Sequence, residues 1–340
     1  MNQATSTMRA LVFTDFNRHE LQTVPVPRPE HPDDVLVRVH AASVCGSDLH
    51  GYTGKTGRRH PPLIMGHEAA GEVVAVGERV TRVRPGDRVA LHPLIFRPDP
   101  ETGRVVRQMI GMNLPGAYAE YTVVPESNTY PIPDTLPYTI AALTEPTAVA
   151  VHAVGLVNVR PYDRVLVIGA GTIGLLTMQV LRLAGAREVV VSDVSDTRLD
   201  IARKMGASDV INPSAQDFTA TVSKLTDGYG FDLTFEAVGI TPTVEQSISA
   251  VCDKGTVVWI GNSQKIVEVN MQAIVTRELS VIGSYGMNER DFERALAMLS
   301  DGRIDVAPLI TRRAALDEGE RLFDELLADE AVVKCVIEIP

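Results

Sequence analysis

Cysteine is scarce in this sequence. Its 340 residues include three, Cys45, Cys252 and Cys335, and no pair is spaced as a metal knuckle. Three scattered thiols build no disulfide framework, which fits a reducing, cytoplasmic setting. Long apolar runs are missing too. The longest charge-free apolar stretch, residues 165–181, is short for a membrane span and holds three glycines. Residues 1–7 are polar and lack the apolar centre of a secretory signal. Large basic clusters are absent, and the formal net charge is −11, so nucleic acid is not an expected partner. The short run Arg58-Arg59-His60 reads as a solvated loop face rather than an anion site. No internal repeat or low-complexity segment stands out.

What remains is globular. Apolar residues make up 45% and charged residues 22%, and the length suits two domains better than one core. The first 150 or so residues are rich in Val, Gly and Pro. Residues 35–39 alternate as a strand, 71–77 form a second candidate bounded by glycines, and Pro85-Gly86-Asp87 is a turn feeding a third. Short strands with frequent turns predict a β-rich, barrel-like domain. Thr144-Glu145-Pro146 opens a helix through His152, with proline tolerated in its first turn. From residue 164 the pattern becomes regular α/β. Strands are predicted at 165–168, 188–193, 231–236 and 255–260, with helices at 173–184 and 198–205 between them. That alternation implies a parallel sheet with right-handed crossovers. Helices at 289–300 and 316–327 and a strand at 333–339 follow, and the pattern alone does not assign this tail to either domain.

Gly169-Ala170-Gly171-Thr172-Ile173-Gly174 follows the first of those parallel strands and opens a helix. This context makes a GxGxxG run a candidate dinucleotide seat. Gly169 permits the tight turn, Gly171 lets backbone approach a pyrophosphate, and Gly174 lets helix and strand pack closely. Thr172 and Ile173 bring the helix N-terminus and its unpaired N–H groups to the phosphates. Asp193 ends the next strand, where an acidic residue would accept hydrogen bonds from the adenosine ribose and repel a 2′-phosphate. NAD is therefore expected over NADP, although Arg198 nearby could pair with such a phosphate.

Cys45-Gly46-Ser47-Asp48-Leu49-His50 and Gly66-His67-Glu68 supply a thiol, two imidazoles, a hydroxyl and carboxylates. Such groups can hold a metal and move a proton. Taken singly, a lone Cys is usually a small buried hydrophobe, and a lone His usually a satisfied polar group. The order of the motifs is more specific. These two segments, Gly71 and Gly77, Gly86-Asp87-Arg88-Val89, Gly116-Ala117-Tyr118-Ala119-Glu120-Tyr121, Glu145-Pro146 and the glycine run at 169–174 follow one another through nearly the whole chain. In that arrangement the sequence resembles the zinc-dependent medium-chain dehydrogenases, in particular their polyol (sorbitol-like) branch.

The resemblance implies an α/β fold class: a GroES-like, β-rich catalytic domain over residues 1–152 and 288–340, interrupted by a Rossmann doubly wound parallel-sheet domain over 153–287. It implies Cys45, His67 and Glu68 as catalytic zinc ligands and Glu145 as a further donor, direct or through water. Because zinc with one thiolate and two carboxylates carries a net negative charge, one carboxylate is expected to yield its place during turnover. Ser47 is expected to accept the alcohol proton, with the cofactor ribose and His50 leading it onward, and Asp48 to orient His67. Second readings exist: Ser47 as a turn cap, Asp48 as a helix cap, His50 as a surface residue. Tyr52 reads as packing more than as pocket lining. Val238, Gly239, Gly261, Ser284 and Tyr285 complete the expected cofactor contacts. Ser284 stands where sorbitol-type relatives often carry Arg, which weakens the case for sorbitol itself.

Residues 92–114 lack the four cysteines with which many relatives hold a second, structural zinc, so one zinc per chain is expected. The expected function is oxidation of a polyol or sugar-like secondary alcohol by NAD in a homodimer or homotetramer. Dehydrogenation of simple diols, amino-alcohols or sugar acids is the alternative, and zinc-free reduction of double bonds a more distant one.

Overall fold

The computed structural model describes residues 7–55, 57–99 and 102–340. The chain forms two compact units, Met1–Glu145 with Ile310–Pro340, and Pro146–Leu309.

In the first unit the strand Asp34–Val44 is central. Val35, Val37 and Val39 point to one buried face, and from Ala41 onward both faces are covered. It pairs antiparallel with Glu68–Val76, with Tyr121–Pro125 and with the last strand, Lys334–Glu338. Arg88–Leu91 and Thr129–Pro131 extend the sheet on one side, and Ile310–Ala315 on the other. Arg18–Pro25, Thr7–Asp15 and Leu63–Ile64 form a smaller sheet. Between these sheets lies a core that includes Leu11, Phe13, Val37, Tyr118 and Phe323. The short helix Gly46–Tyr52 continues directly from the central strand.

Residues 92–114 form a hairpin, Leu94–Pro98 with Val105–Met109. Its turn was expected at 99–103. Asp99 accepts hydrogen bonds from the Thr102 N–H at 2.7 Å and the Thr102 hydroxyl at 2.8 Å, while Pro100 and Glu101 lie outside the described residues.

The second unit is a six-stranded, wholly parallel sheet. Its order is Asp209–Ile211, Glu188–Ser192, Arg164–Ile168, Phe231–Glu236, Val251–Trp259, Ser280–Gly283. Strand order reverses between Arg164–Ile168 and Phe231–Glu236, the switch point where doubly wound sheets open a crevice at their carboxyl ends.

The unit boundaries differ from the 152/153 and 287/288 of the sequence reading. The helix Glu289–Ser300 belongs to the second unit, not to the returning tail. Its buried face is Phe292, Ala295, Leu296 and Leu299, and Asp291 Oδ2 lies 2.8 Å from His152 Nδ1 on the helix Thr144–Gly155. Period alone marks such a face but does not say what it packs against. No helix among the described residues is long and apolar enough to cross a membrane.

Candidate functional site

Antiparallel register explains how residues far apart in sequence converge. Ser43 pairs with Glu68 across two neighbouring strands. Cys45, just past the end of one, therefore faces His67 and Glu68 at the start of the other. Ligand atoms of Cys45, His67 and Glu68 all lie within 4.8 Å of one another, with His67 and Glu68 buried. Sulfur, imidazole nitrogen and carboxylate oxygen form a donor set suited to zinc. Glu68 Oε1 is buried with no hydrogen-bond partner, whereas Oε2 accepts from the Ser43 hydroxyl and from Lys334 Nζ at 2.6 Å. A carboxylate oxygen left bare in the interior is costly unless a cation meets it, so the residues fit a metal ion. Glu145 is not part of the three-residue group. It is buried nearby, and burial together with Glu68 and Asp48 pushes its pKa up to about 7 against the pull of His67 and Lys334.

Asp48 saturates its carboxylate. Oδ1 lies 2.6 Å from Arg59 Nη2 and 3.2 Å from His67 Nδ1; Oδ2 accepts from the Tyr118 hydroxyl at 2.7 Å and from the Cys45 N–H at 3.3 Å. Burial alone would raise the Asp48 pKa, but the charges of His67 and Arg59 more than reverse it and hold the group ionised. Asp48 thus both caps the helix Gly46–Tyr52 and contacts His67. Burial would lower the His67 pKa, but Asp48 and Cys45 raise it, so the ring carries a proton on each nitrogen until a metal takes the place of the one on Nε2, with Asp48 holding Nδ1–H. Ser47 Oγ lies 3.3 Å from Cys45 Sγ. His50, three residues on and half-buried, has its pKa lowered by burial, Lys55 and Arg59, so it is neutral at pH 7. Tyr52 is fully buried against Phe13, His19 and Phe323, and its hydroxyl reaches Asp324 at 3.0 Å.

Two groups escaped the sequence reading. Arg59 is not on a solvated loop face: it is 3% exposed and bonded to Gly111 O, Ser47 O and Asp48. A three-residue basic run looks solvated unless a buried carboxylate is known to face it. Lys334 is buried; burial alone would lower its pKa, but Glu68, Cys45 and Glu145 together raise it. Its position follows from the pairing of the last strand with Asp34–Val44, which sets Nζ 3.1 Å from Val44 O. No local motif signals that.

In the second unit, Gly169 to Gly174 join the strand Arg164–Ile168 to the helix Thr172–Leu183. A Cβ on Gly174 would stand 1.7 Å from Gly169 O, so nothing larger than glycine fits there. Gly171 is the helix N-cap and offers no side-chain cap, and the space beside its Cα is open. No side-chain cap therefore stands between the helix N-terminus and an approaching anion. Asp193 follows the strand Glu188–Ser192 and accepts from the Ala170 N–H at 2.7 Å and the Ser195 N–H at 2.9 Å. Arg198 lies in the first turn of Asp196–Lys204. Val238 and Gly239 donate their N–H groups to the buried Glu236, which the sequence reading did not single out, and Gly261 packs against them. Ser284 is buried and Tyr285 exposed just beyond the edge strand Ser280–Gly283.

Comparisons with known proteins agree with this division. Residues 31–134 match the family model described as "Alcohol dehydrogenase GroES-like domain", and residues 172–301 the model described as "Zinc-binding dehydrogenase". An L-threonine 3-dehydrogenase of Edwardsiella ictaluri is 33% identical over 88% of this chain and 91% of its own. A sorbitol dehydrogenase of Bacillus subtilis is 31% identical over 94% of each. A zinc-binding dehydrogenase of Sinorhizobium meliloti, solved with NADP bound, superposes with a TM-score of 0.89 at 33% identity, covering 98% of this chain and 100% of that one.

Proposed function

The chain belongs to the zinc-type medium-chain alcohol dehydrogenase family, and on that premise we propose that it oxidises a polyol or sugar-like secondary alcohol. In this reaction the alcohol and NAD⁺ give a ketone, NADH and a proton. The observation that carries the reading is the meeting of Cys45, His67 and Glu68 around a bare carboxylate oxygen. A bound zinc would polarise the alcohol oxygen and a bound nicotinamide would accept the hydride.

The chain's own residues supply the rest. Cys45, His67 and Glu68 would hold the ion, one per chain, with Glu145 as a fourth donor, direct or through water. Ser47 takes the alcohol proton on one lone pair as its own hydroxyl hydrogen turns from Cys45 Sγ and passes on, so no charge builds on Oγ. His50 stands at i+3 from it on the helix Gly46–Tyr52 and, being neutral, can take the proton onward. Lys334 changes the charge argument: its ammonium brings a zinc, one thiolate and two carboxylates to overall neutrality. The electrostatic objection to Glu68 and Glu145 both standing ionised beside the ion therefore loses its force.

The sorbitol dehydrogenase relative supports the polyol reading. The threonine dehydrogenase relative favours an amino-alcohol as the second reading. Asp193, Gly169, Gly171, Gly174, Thr172 and Ile173 form the dinucleotide seat, with Val238, Gly239, Gly261, Ser284 and Tyr285 as further contacts. Asp193 favours NAD over NADP by repelling a 2′-phosphate, while the NADP-bound relative marks the alternative. The open edge strand Ser280–Gly283 would pair with its counterpart in a cytoplasmic homo-oligomer.

The test is reduced-cofactor production from NAD and NADP over polyols, sugar acids, diols and threonine, with and without a chelator, alongside metal analysis. Chelator-sensitive turnover on polyols with zinc near one per chain is expected. Full turnover in Cys45→Ala would refute the metal chemistry.

A further inference from the structure

We propose that Arg59 is the positioning residue of this site, holding Ser47 and His67 in register through a single guanidinium. The proposal rests on the reading of Cys45, His67 and Glu68 as a zinc centre and of Ser47 as its proton acceptor.

Arg59 carries a charge into the interior, which is unfavourable unless its donors find partners. Nε donates to Gly111 O at 2.9 Å and Nη1 to Ser47 O at 2.8 Å. Nη2 donates to Asp48 Oδ1 at 2.6 Å and to Ser47 Oγ at 3.3 Å. The fork therefore ties the loop at Gly111 to the first turn of the helix Gly46–Tyr52. Through the shared Asp48 oxygen it also reaches His67, whose Nδ1 lies 3.5 Å from Nη2.

Two consequences follow from the direction of these bonds. Arg59 donates to Asp48 Oδ1 and keeps that oxygen an acceptor, so the proton shared with His67 Nδ1 sits on the imidazole and Nε2 is left to the ion. At Ser47, the guanidinium occupies one lone pair of Oγ while the hydroxyl hydrogen faces Cys45 Sγ at 3.3 Å. The remaining lone pair is the one available to a substrate proton. A planar fork is needed for this, since a lysine ammonium is a point charge that cannot span the same acceptors.

Room for the side chain is built into the helix. A Cβ on Gly51 would stand 2.5 Å from Arg59 Cδ. Gly51 is thus the absence through which Arg59 passes, and Gly51→Ala disturbs the guanidinium without removing it.

The experiment compares wild type, Arg59→Lys, Gly51→Ala, Ser47→Ala and the double variant Ser47→Ala/Arg59→Lys as zinc-loaded full-length proteins. Zinc release to a chromogenic chelator is followed in the absence of substrate, and kcat and KM are measured separately. Arg59→Lys is expected to release zinc about 10–100-fold faster, the range for losing a partner that orients a ligand. Its kcat falls while KM for alcohol changes much less, and Gly51→Ala shifts both readouts in the same direction. The kcat loss in the double variant is smaller than the product of the two single losses, because part of the effect of Arg59 runs through the Ser47 hydroxyl, while its zinc release matches that of Arg59→Lys. Zinc release and kcat within about twofold of wild type in Arg59→Lys would overturn the proposal. So would losses in the double variant that multiply, which mark a general packing role. A wild type without zinc or alcohol oxidation would instead overturn the reading beneath it.

Discussion

Replacing His19 by Phe should make the protein resist acid. His19 is 3% exposed, and neither ring nitrogen has a hydrogen-bond partner. It stacks on Tyr52 with centroids 4.9 Å apart and meets Phe323 edge-on at 4.2 Å. Burial pushes its pKa from the ordinary 6.5 down to about 4, with Asp48 pulling weakly the other way. Between those values the unfolded chain binds a proton that the folded chain refuses, so stability rises with pH across the window. The contribution is complete above about pH 6.5 and is lost as pH falls toward 4. Linkage gives a loss of about 2 kcal/mol by about pH 5 and about 3 kcal/mol by about pH 4. Tyr52 closes the helix that carries Ser47 and Asp48, so the loss is felt at the site. The assay is urea unfolding of wild type and His19→Phe near pH 7.5 and near pH 5, with His19→Leu as a control for ring size. The variant's relative stability should grow by about 2 kcal/mol between the two conditions. Parallel pH dependence in wild type and both variants would show that His19 is not buried in its neutral form.

Lys334→Met leaves Glu68 charged and unpaired in the interior, so the chelated protein should lose about 3–5 kcal/mol. Zinc compensates the same carboxylate, so the melting-temperature gap to wild type should narrow on loading; an equal gap with and without zinc would refute the pairing argument. Gly174→Ala forces the helix Thr172–Leu183 away from Gly169 O. NADH affinity, read by fluorescence titration, should fall at least about tenfold while zinc content is unchanged; affinity within about twofold of wild type would show that the turn adapts.

Much of the second unit was legible because its elements are local, although the strand Asp209–Ile211 and the helices Phe218–Leu225 and Thr241–Ala250 were not predicted and the strand expected at 255–260 begins at Val251. The strand Phe231–Glu236 and the helix Glu289–Ser300 lie where the sequence reading put them, and the helices at 172–183 and 196–204 are displaced by one or two residues. Their signals are runs and periods contained within each element. Some strands of the first unit were also visible, among them the central strand and its neighbour Glu68–Val76, but their pairing was not. Cys45 and His67 look unrelated until Ser43 is set against Glu68.

The sequence by itself determined two domains, a dinucleotide turn, the ordered motifs of a dehydrogenase family and the lack of cysteines for a second zinc. Only the tertiary structure decided what surrounds the candidate ion. Lys334 reaches Glu68 from the far end of the chain, because the last strand pairs with Asp34–Val44. Arg59 leaves solvent for Asp48, because Gly51 yields it space. The charge balance of a buried site is a sum over contacts in space, and long-range pairing leaves no period or spacing along the chain from which to read it.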